Sequence, residues 1–273
     1  MYQLQVREEQ LSVKKQSVYH HNFPRDYSTW FISSNGIKVT VEDAKCVQSN
    51  AFVKSELFQE FNLEPGRGDE DGTDDLSFTI NLKVVLECLN CLSGDGANSG
   101  PCVKICYSGY GHPLILLLED NGVISDSKIN TREAEECLDF NFANANVVSK
   151  IIMSSQLLKD ILSELDNSSE YIQFIISPDE PNFCIKTSGP AGSIETNVPE
   201  TSDMVEHVSS SSSSSARYRL TMLKHGIKPL GLSEKVSVRM DDREFLCLQY
   251  MVRTDSGPAF LEYYCAPEES NEQ

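Results

Sequence analysis

Four cysteines stand at spacings that zinc thiolates use, Cys88-x-x-Cys91 and Cys102-x-x-x-Cys106. Zinc needs its sulfurs to converge on one point. Here Cys88 and Cys91 fall among the leucines of a helical run, and a gap of ten residues rich in Gly and Asn separates the pairs. Buried, reduced thiols that pack as small hydrophobes are the expectation. Carboxylates are the second candidate chemistry, because two-metal nucleases need convergent acids. Asp69, Glu70, Asp71, Asp74 and Asp75 crowd one Gly-rich loop, and Glu133, Glu135 and Glu136 a polar segment further on. Metal catalysis requires carboxylates on rigid elements, and charge runs on loops are ordinarily solvated. The five histidines are scattered, and no GxSxG elbow, P-loop or dinucleotide fingerprint accompanies them. Gly109-Tyr110-Gly111 is better explained as a turn than as a phosphate loop. No catalytic residue, metal ligand or cofactor is expected.

The basic residues are a third set. Lys83 opens one helix-like run, Lys159 lies on the polar side of another, and Lys224, His225 and Lys228 share a third segment. The formal net charge is -18, which opposes unspecific attraction to phosphates. Any nucleic-acid contact therefore needs a local basic face. Taken singly, each lysine is equally well an ordinary solvated side chain.

The elements that must position these groups are mostly strands. Val103–Ile129 and Val236–Pro267 share one layout: a short strand, a turn, a long apolar strand and an Asp-x-Gly hairpin. Asp120-Asn121-Gly122 answers Asp255-Ser256-Gly257 at an offset of 135 residues, so a fold built twice is expected. Around Ser34-Asn35-Gly36, STWFIS and IKVTVED form a hairpin, and EYIQFIISPDEPNFCIKTSG forms another in the second half. Leu82, Val85, Leu86, Leu89 and Leu92 make one helical stripe, capped by Asn81 or Thr79. Leu157, Leu158, Ile161, Leu162 and Leu165 make a second, with Ser155 as the cap. LKHGIKPLG is a short helix or turn.

The expected divisions are an atypical segment 1–27 without clear periodicity, a first domain 28–130, an acidic connector 131–138, a second domain 139–267 and an acidic tail 268–273. Seven serines, 209–215, cannot bury apolar surface and are expected to form a mobile loop. A length of 273 residues with 40% hydrophobic content fits a folded chain. No run of eighteen apolar residues is present, and MYQLQVREEQLSVKKQ lacks the apolar core of a secretory signal. A soluble intracellular protein with no membrane partner is expected.

Longer motifs carry a resemblance. Tyr263-Tyr264-Cys265-Ala266-Pro267 looks like the closing strand of sliding clamps of the PCNA type. NGIKVTVEDAKCVQSNAF (35–52), YGHPLILLLEDNGV (110–123), KINT (128–131) and FLCLQYMVR (245–253) resemble the Rad-one family, a subunit of the nine-one-one checkpoint clamp. The likeness covers about 33–267; residues 1–27 do not resemble the family's first strand and helix, so the first half is expected to lack one helix.

What the resemblance implies is a structural role. The fold would be α+β, two similar domains of antiparallel sheet with helices on the inner face. Three such subunits, this one with Rad-nine-like and Hus-one-like partners, would close a ring around double-stranded DNA. An RFC-like loader would open the ring at recessed ends, and the ring would recruit checkpoint and repair proteins in the nucleus. By the same resemblance, Lys83, Lys159, Lys224 and Lys228 would face DNA. A strand containing Val123, Ile124, Ser125, Lys128 and Ile129 would pair with one neighbour. A strand containing Ser193, Ile194, Glu195 and Thr196 would pair with the other. Val47, Leu138, Ala266 and Pro267 would line a pocket for partner peptides. The competing functions are a 3′–5′ DNA exonuclease and a two-domain adaptor that never encircles DNA.

Overall fold

The computed structural model describes residues 2–7, 26–63, 76–91, 102–138, 140, 146–165, 168–254 and 257–268. They form two compact units, 1–42 with 50–137 and 254–259, and 43–49 with 138–253 and 260–273. The acidic run 66–75, the Gly-rich stretch 92–101, most of DFNF (139–142) and the end of the tail lie outside the described residues.

The first half of the chain carries β1 (Tyr2–Arg7), β2 (Tyr27–Ser33), β3 (Gly36–Asp43), β4 (Val47–Lys54), β5 (Glu60–Asn62) and β6 (Leu76–Asn81). Helix α1 (Leu82–Asn90) follows, then β7 (Cys102–Tyr107), β8 (Leu114–Asp120), β9 (Val123–Ile129) and β10 (Thr131–Arg132). The second half carries β11 (Val147–Ser154), α2 (Ser155–Ser163), β12 (Tyr171–Ile176), β13 (Phe183–Gly189), β14 (Gly192–Val198), β15 (Val205–Ser210) and β16 (Ser214–Arg219). It ends with α3 (Leu220–Ile227), a 3-10 turn (Lys228–Gly231), β17 (Lys235–Asp241), β18 (Leu246–Thr254) and β19 (Gly257–Cys265).

Strand neighbours repeat between the halves. The first half contains the orders β5-β1-β7-β8-β9 and β6-β2-β3-β4. The second contains β15-β11-β17-β18-β19 and β16-β12-β13-β14, the same orders with ten added to every label. The described ladders are antiparallel. This is the doubled α+β clamp fold that the resemblance implies. At the Asp120-Asn121-Gly122 hairpin, Asp120 pairs with Val123, and Asn121 and Gly122 both have positive φ, as a two-residue turn of that twist requires.

The first core gathers Trp30, Phe78 and Tyr107 with Ile105, Leu114, Leu116 and Leu118. The Phe78 and Tyr107 rings lie 4.4 Å apart. In the second unit Phe174 meets Phe183 and Tyr218 at 6.0 and 5.8 Å. Each such side chain contributes about 1.5–3 kcal/mol by leaving water. The helices bury the expected stripes: Leu82, Val85 and Leu89 in α1, with Lys83, Glu87 and Asn90 exposed; Leu158, Ile161 and Leu162 in α2, with Lys159 and Asp160 exposed. Asn81 caps α1 by accepting from Val84 N at 3.1 Å. Two phenols fix α3: Tyr250 donates to the Gly226 carbonyl, and Tyr263 to that of Met222 at 2.5 Å. A Cβ at position 226 would lie 2.7 Å from the Tyr263 ring, so glycine is what lets helix and sheet approach.

Three expectations are corrected. The first is the N-terminal segment. β1 pairs with β7 from Tyr2↔Tyr107 to Arg7↔Cys102 and takes the place that β11 has in the second half. The apolar–polar alternation of YQLQVR is the signal for it, six residues long. The helix expected to be missing would fall within 8–25, outside the described residues. The second correction is the serine run. Ser209–Ser210 end β15 and Ser214–Ser215 begin β16, leaving only 211–213 between strands. The buried Ser149 hydroxyl meets those of Ser210 and Ser214 at 2.8 and 2.6 Å, and Ser210 Oγ donates to Ser212 O. A ladder needs backbone partners rather than apolar side chains, and the hydroxyls bond one another. The third is the cap of α2. Ser154, not Ser155, holds the cap position without a side-chain bond, while Ser155 is buried against Ser233 Oγ at 2.7 Å.

Candidate functional site

Among the sheet edges of the described residues are β9 and β14. β9 is bonded to β8 alone, in the register Leu114↔Ile129 to Asp120↔Val123. β14 is bonded to β13 alone, from Phe183↔Val198 to Gly189↔Gly192. An edge exposes a row of unpaired N–H and C=O groups, and soluble proteins blunt it with charge, bulges or cover. Here exposed apolar side chains stand beside the charged ones: Val123 is 58% exposed, Ile124 67% and Ile194 37%. Ser125, Lys128 and Ile129 complete the first row, with Ile129 buried. On the second, Ser193 is exposed, Thr196 half-buried, and Glu195 pairs with Lys186 across the strands at 2.9 Å. The partners hold each other charged: the lysine is shifted up and the glutamate down, each chiefly by that bond.

The four expected DNA-facing lysines are all exposed. Lys83 is on α1 in the first unit. In the second, Lys224 lies in the last turn of α3 and Lys228 one helical turn later, at the start of the 3-10 turn. The Lys159 ammonium of α2 reaches that turn, 3.8 Å from where a Cβ on Gly231 would sit. The second unit thus gathers three cations on packed helical segments. Asp160 and Glu164 lie beside them, and Gln156 Nε2 holds the Asp160 carboxylate at 2.6 Å.

The four expected pocket residues gather around residues 46–48 but differ in exposure. Val47 is 1% exposed and presents no surface to a peptide. Leu138 is exposed and its carbonyl accepts from Gln48 Nε2 at 2.8 Å. Ala266 N donates to Cys46 O at 2.8 Å, and Ala266 and Pro267 are half-buried. The connector rims a different cavity of about 370 Å³, in the first unit, lined by Asp26, Glu42, Glu135 and Glu136 with Thr29, Thr40, Thr79, Tyr27 and Cys137. β10 puts it there by pairing with β6, and Glu135 N donates to Thr79 Oγ1 at 3.2 Å. Arg132 stacks over Tyr27 at 4.2 Å and donates to its hydroxyl. Burial, ahead of nearby Glu42 and Glu135, pushes the Cys137 thiol up. Sequence alone showed only Glu135 and Glu136, because Asp26 and Glu42 join them through the β10-β6-β2-β3 ladder. Among the described residues no three His, Cys, Asp or Glu side chains converge as a metal site, and Cys88, Cys91, Cys102 and Cys106 are not joined by disulfides.

Comparison with known proteins places this geometry. The chain is 46% identical over 248 residues to the cell cycle checkpoint protein RAD1 of Homo sapiens, covering 90% of this chain and 85% of that one. The Mus musculus protein of the same name is 45% identical over the same shares. A more distant relative, the DNA repair exonuclease REC1 of Mycosarcoma maydis, is 24% identical over 60% of this chain and 47% of its own length. The model of the family described as repair protein Rad1/Rec1/Rad17 matches residues 14–252. With that match spanning most of a doubled clamp fold, the chain belongs to the Rad1/Rec1/Rad17 family of repair proteins.

Proposed function

We propose that this chain is a non-catalytic subunit of a heterotrimeric sliding clamp that encircles DNA in the nucleus and recruits checkpoint and repair proteins. The observation that carries this reading is the pair of open edges, β9 and β14, each with unpaired backbone groups and exposed apolar side chains. Each edge would gain a ladder from one of two further subunits, Rad-nine-like and Hus-one-like, and an RFC-like loader would place the ring at recessed ends. The human and mouse relatives are named as checkpoint proteins, which supports the setting. A ring holds DNA topologically, so phosphate contacts can be few and sequence-blind. That suits a chain of charge -18 whose exposed Lys83, Lys159, Lys224 and Lys228 sit on or beside helices. Leu138, Ala266 and Pro267 remain available to a partner peptide.

Co-expression with the two partner subunits tests the reading. A 1:1:1 complex by light scattering, ring-shaped in the electron microscope, is expected; a monomer indifferent to both partners overturns it. The name of the fungal relative favours a second reading, an exonuclease. Mg²⁺-dependent digestion of single-stranded DNA, abolished by one carboxylate substitution, would establish that one instead.

A further inference from the structure

The second unit has another open edge, β16, at the far end of the sheet from β14. Its core face is Ala216 and Tyr218, both buried; its outer face is Ser215, Arg217 and Arg219, all exposed. Tyr171 and Gln173 of β12 stand opposite Arg219 and Arg217. Two guanidiniums and an aromatic ring therefore share one patch of a strongly acidic chain, roughly 7 Å apart along the strand. The patch already holds a carboxylate. Arg219 donates from Nε and Nη2 to the two oxygens of Glu268, both at 2.8 Å, and Glu268 N donates to Arg217 O at 2.8 Å. The segment after β19 thus lies along β16 in the manner of an added strand, gripped by a bidentate arginine. Arg217 has no carboxylate at ion-pair distance among the described residues; its guanidinium lies 5.9 Å from the Tyr171 ring.

We propose that the open edge of β16, with Arg217, Arg219 and Tyr171, is a docking site for an extended acidic peptide of a partner protein, and that Glu268 occupies it when no partner is bound. The tail shows what chemistry the site accepts: one carboxylate on the fork of Arg219 and one backbone N–H on the strand. A peptide with a second carboxylate two residues along also reaches Arg217, which has no carboxylate at ion-pair distance among the described residues. Nucleic acid supplies phosphates but no backbone N–H, so a peptide fits both halves of the contact. Arg219 also holds the Glu268 carboxyl below its usual range, so the grip persists at neutral pH and weakens as acid protonates that group. The site does not depend on ring assembly, and the isolated chain suffices to test it.

A fluorescein-labelled peptide of residues 266–273, APEESNEQ, serves as the probe. Because self-occupancy lowers apparent affinity by the fraction of sites already filled, the full chain carrying Glu268→Gln should bind it about tenfold more tightly than the unaltered chain. Arg219→Ala and Arg217→Ala, each added to Glu268→Gln, should weaken binding by at least about tenfold, with unchanged melting curves as the fold control. Arg219→Lys, keeping charge without the fork, should fall between. Equal affinity for both chains, or binding indifferent to either arginine, overturns the proposal. So does preferential binding of a single-stranded oligonucleotide or of a phosphoserine peptide over the carboxylate probe.

Discussion

Strands β9 and β19 hold the same position in the two copies of the fold, as do β14 and β4, yet their environments differ. In β19, Leu261, Tyr263, Tyr264 and Cys265 are buried, and in β4 so are Val47, Gln48, Ser49 and Asn50. In β9 and β14 the corresponding stretches are mostly exposed. The buried pair has visible support: Ala266 N donates to Cys46 O, and Ser49 Oγ to Glu262 O at 3.3 Å. The composition follows. β19 carries phenylalanine, leucine and tyrosines, whereas β9 reads VISDSKI with serines on alternate positions. The difference teaches that the duplicated topology leaves one edge of each kind covered and one open, and that the side chains differ to match.

The sharpest way to break this comparison is to place one charge at each kind of strand. Leu261→Asp in β19, at a site 3% exposed, should destabilise the chain by about 4 kcal/mol or more, because a buried unpaired carboxylate adds to the lost apolar packing. Urea unfolding measures it. Ile124→Asp with Ile194→Asp on the open edges should shift the same curve by no more than about 0.5 kcal/mol. That pair should instead weaken co-purification with partner subunits by about 2 kcal/mol, near thirtyfold. If the edge variants unfold the chain, or leave assembly untouched, β9 and β14 are not waiting surfaces.

A second contrast lies in the helices that follow β6 and β16. Aligning Leu82 with Leu220 sets Cys88 of α1 against Gly226 of α3. Cys88 is half-buried and accommodated; at Gly226 even a methyl meets the Tyr263 ring. Gly226→Ala should cost about 1–3 kcal/mol by overpacking, despite alanine's better helix propensity. A gain in melting temperature would show that the ring moves aside freely.

Much of this was legible in the chain. Asn-Gly dipeptides at 35–36 and 121–122 mark both hairpins because turn geometry is local, although the first chain reversal falls at Ser34-Asn35 with Gly36 already paired to Ser33. The stripes of α1 and α2 follow from burial on one side. What sequence could not show depends on meetings across long separations. Asp26, Glu42 and Glu135 share a cavity only once β10 joins the sheet. Arg219 finds Glu268 forty-nine residues on. Ser209–Ser215 read as a solvated loop because composition carries no record of the Ser149 hydroxyl that holds their ends. The resemblance assigns Val47 to a clamp pocket, but burial decides whether an assigned residue can be touched.

The smallest effect separates the two strand-to-helix junctions themselves. Asn81 ends β6 and caps α1, its side chain taking the Val84 N–H. Arg219 ends β16 at the same place in the repeat, and α3 has no side-chain cap there. Its guanidinium turns outward to Glu268 instead. One junction therefore uses its side chain for the helix and the other for the tail. Asn81→Ala should cost about 1 kcal/mol, since a helix N–H loses its partner, with Asn81→Asp retaining most of the stability. Arg219→Ala should leave thermal stability unchanged, because an exposed ion pair contributes little after solvent screening. If Arg219→Ala proved the more damaging of the two, the tail would be a structural brace of the second unit, and its displacement by a partner would be too costly to occur.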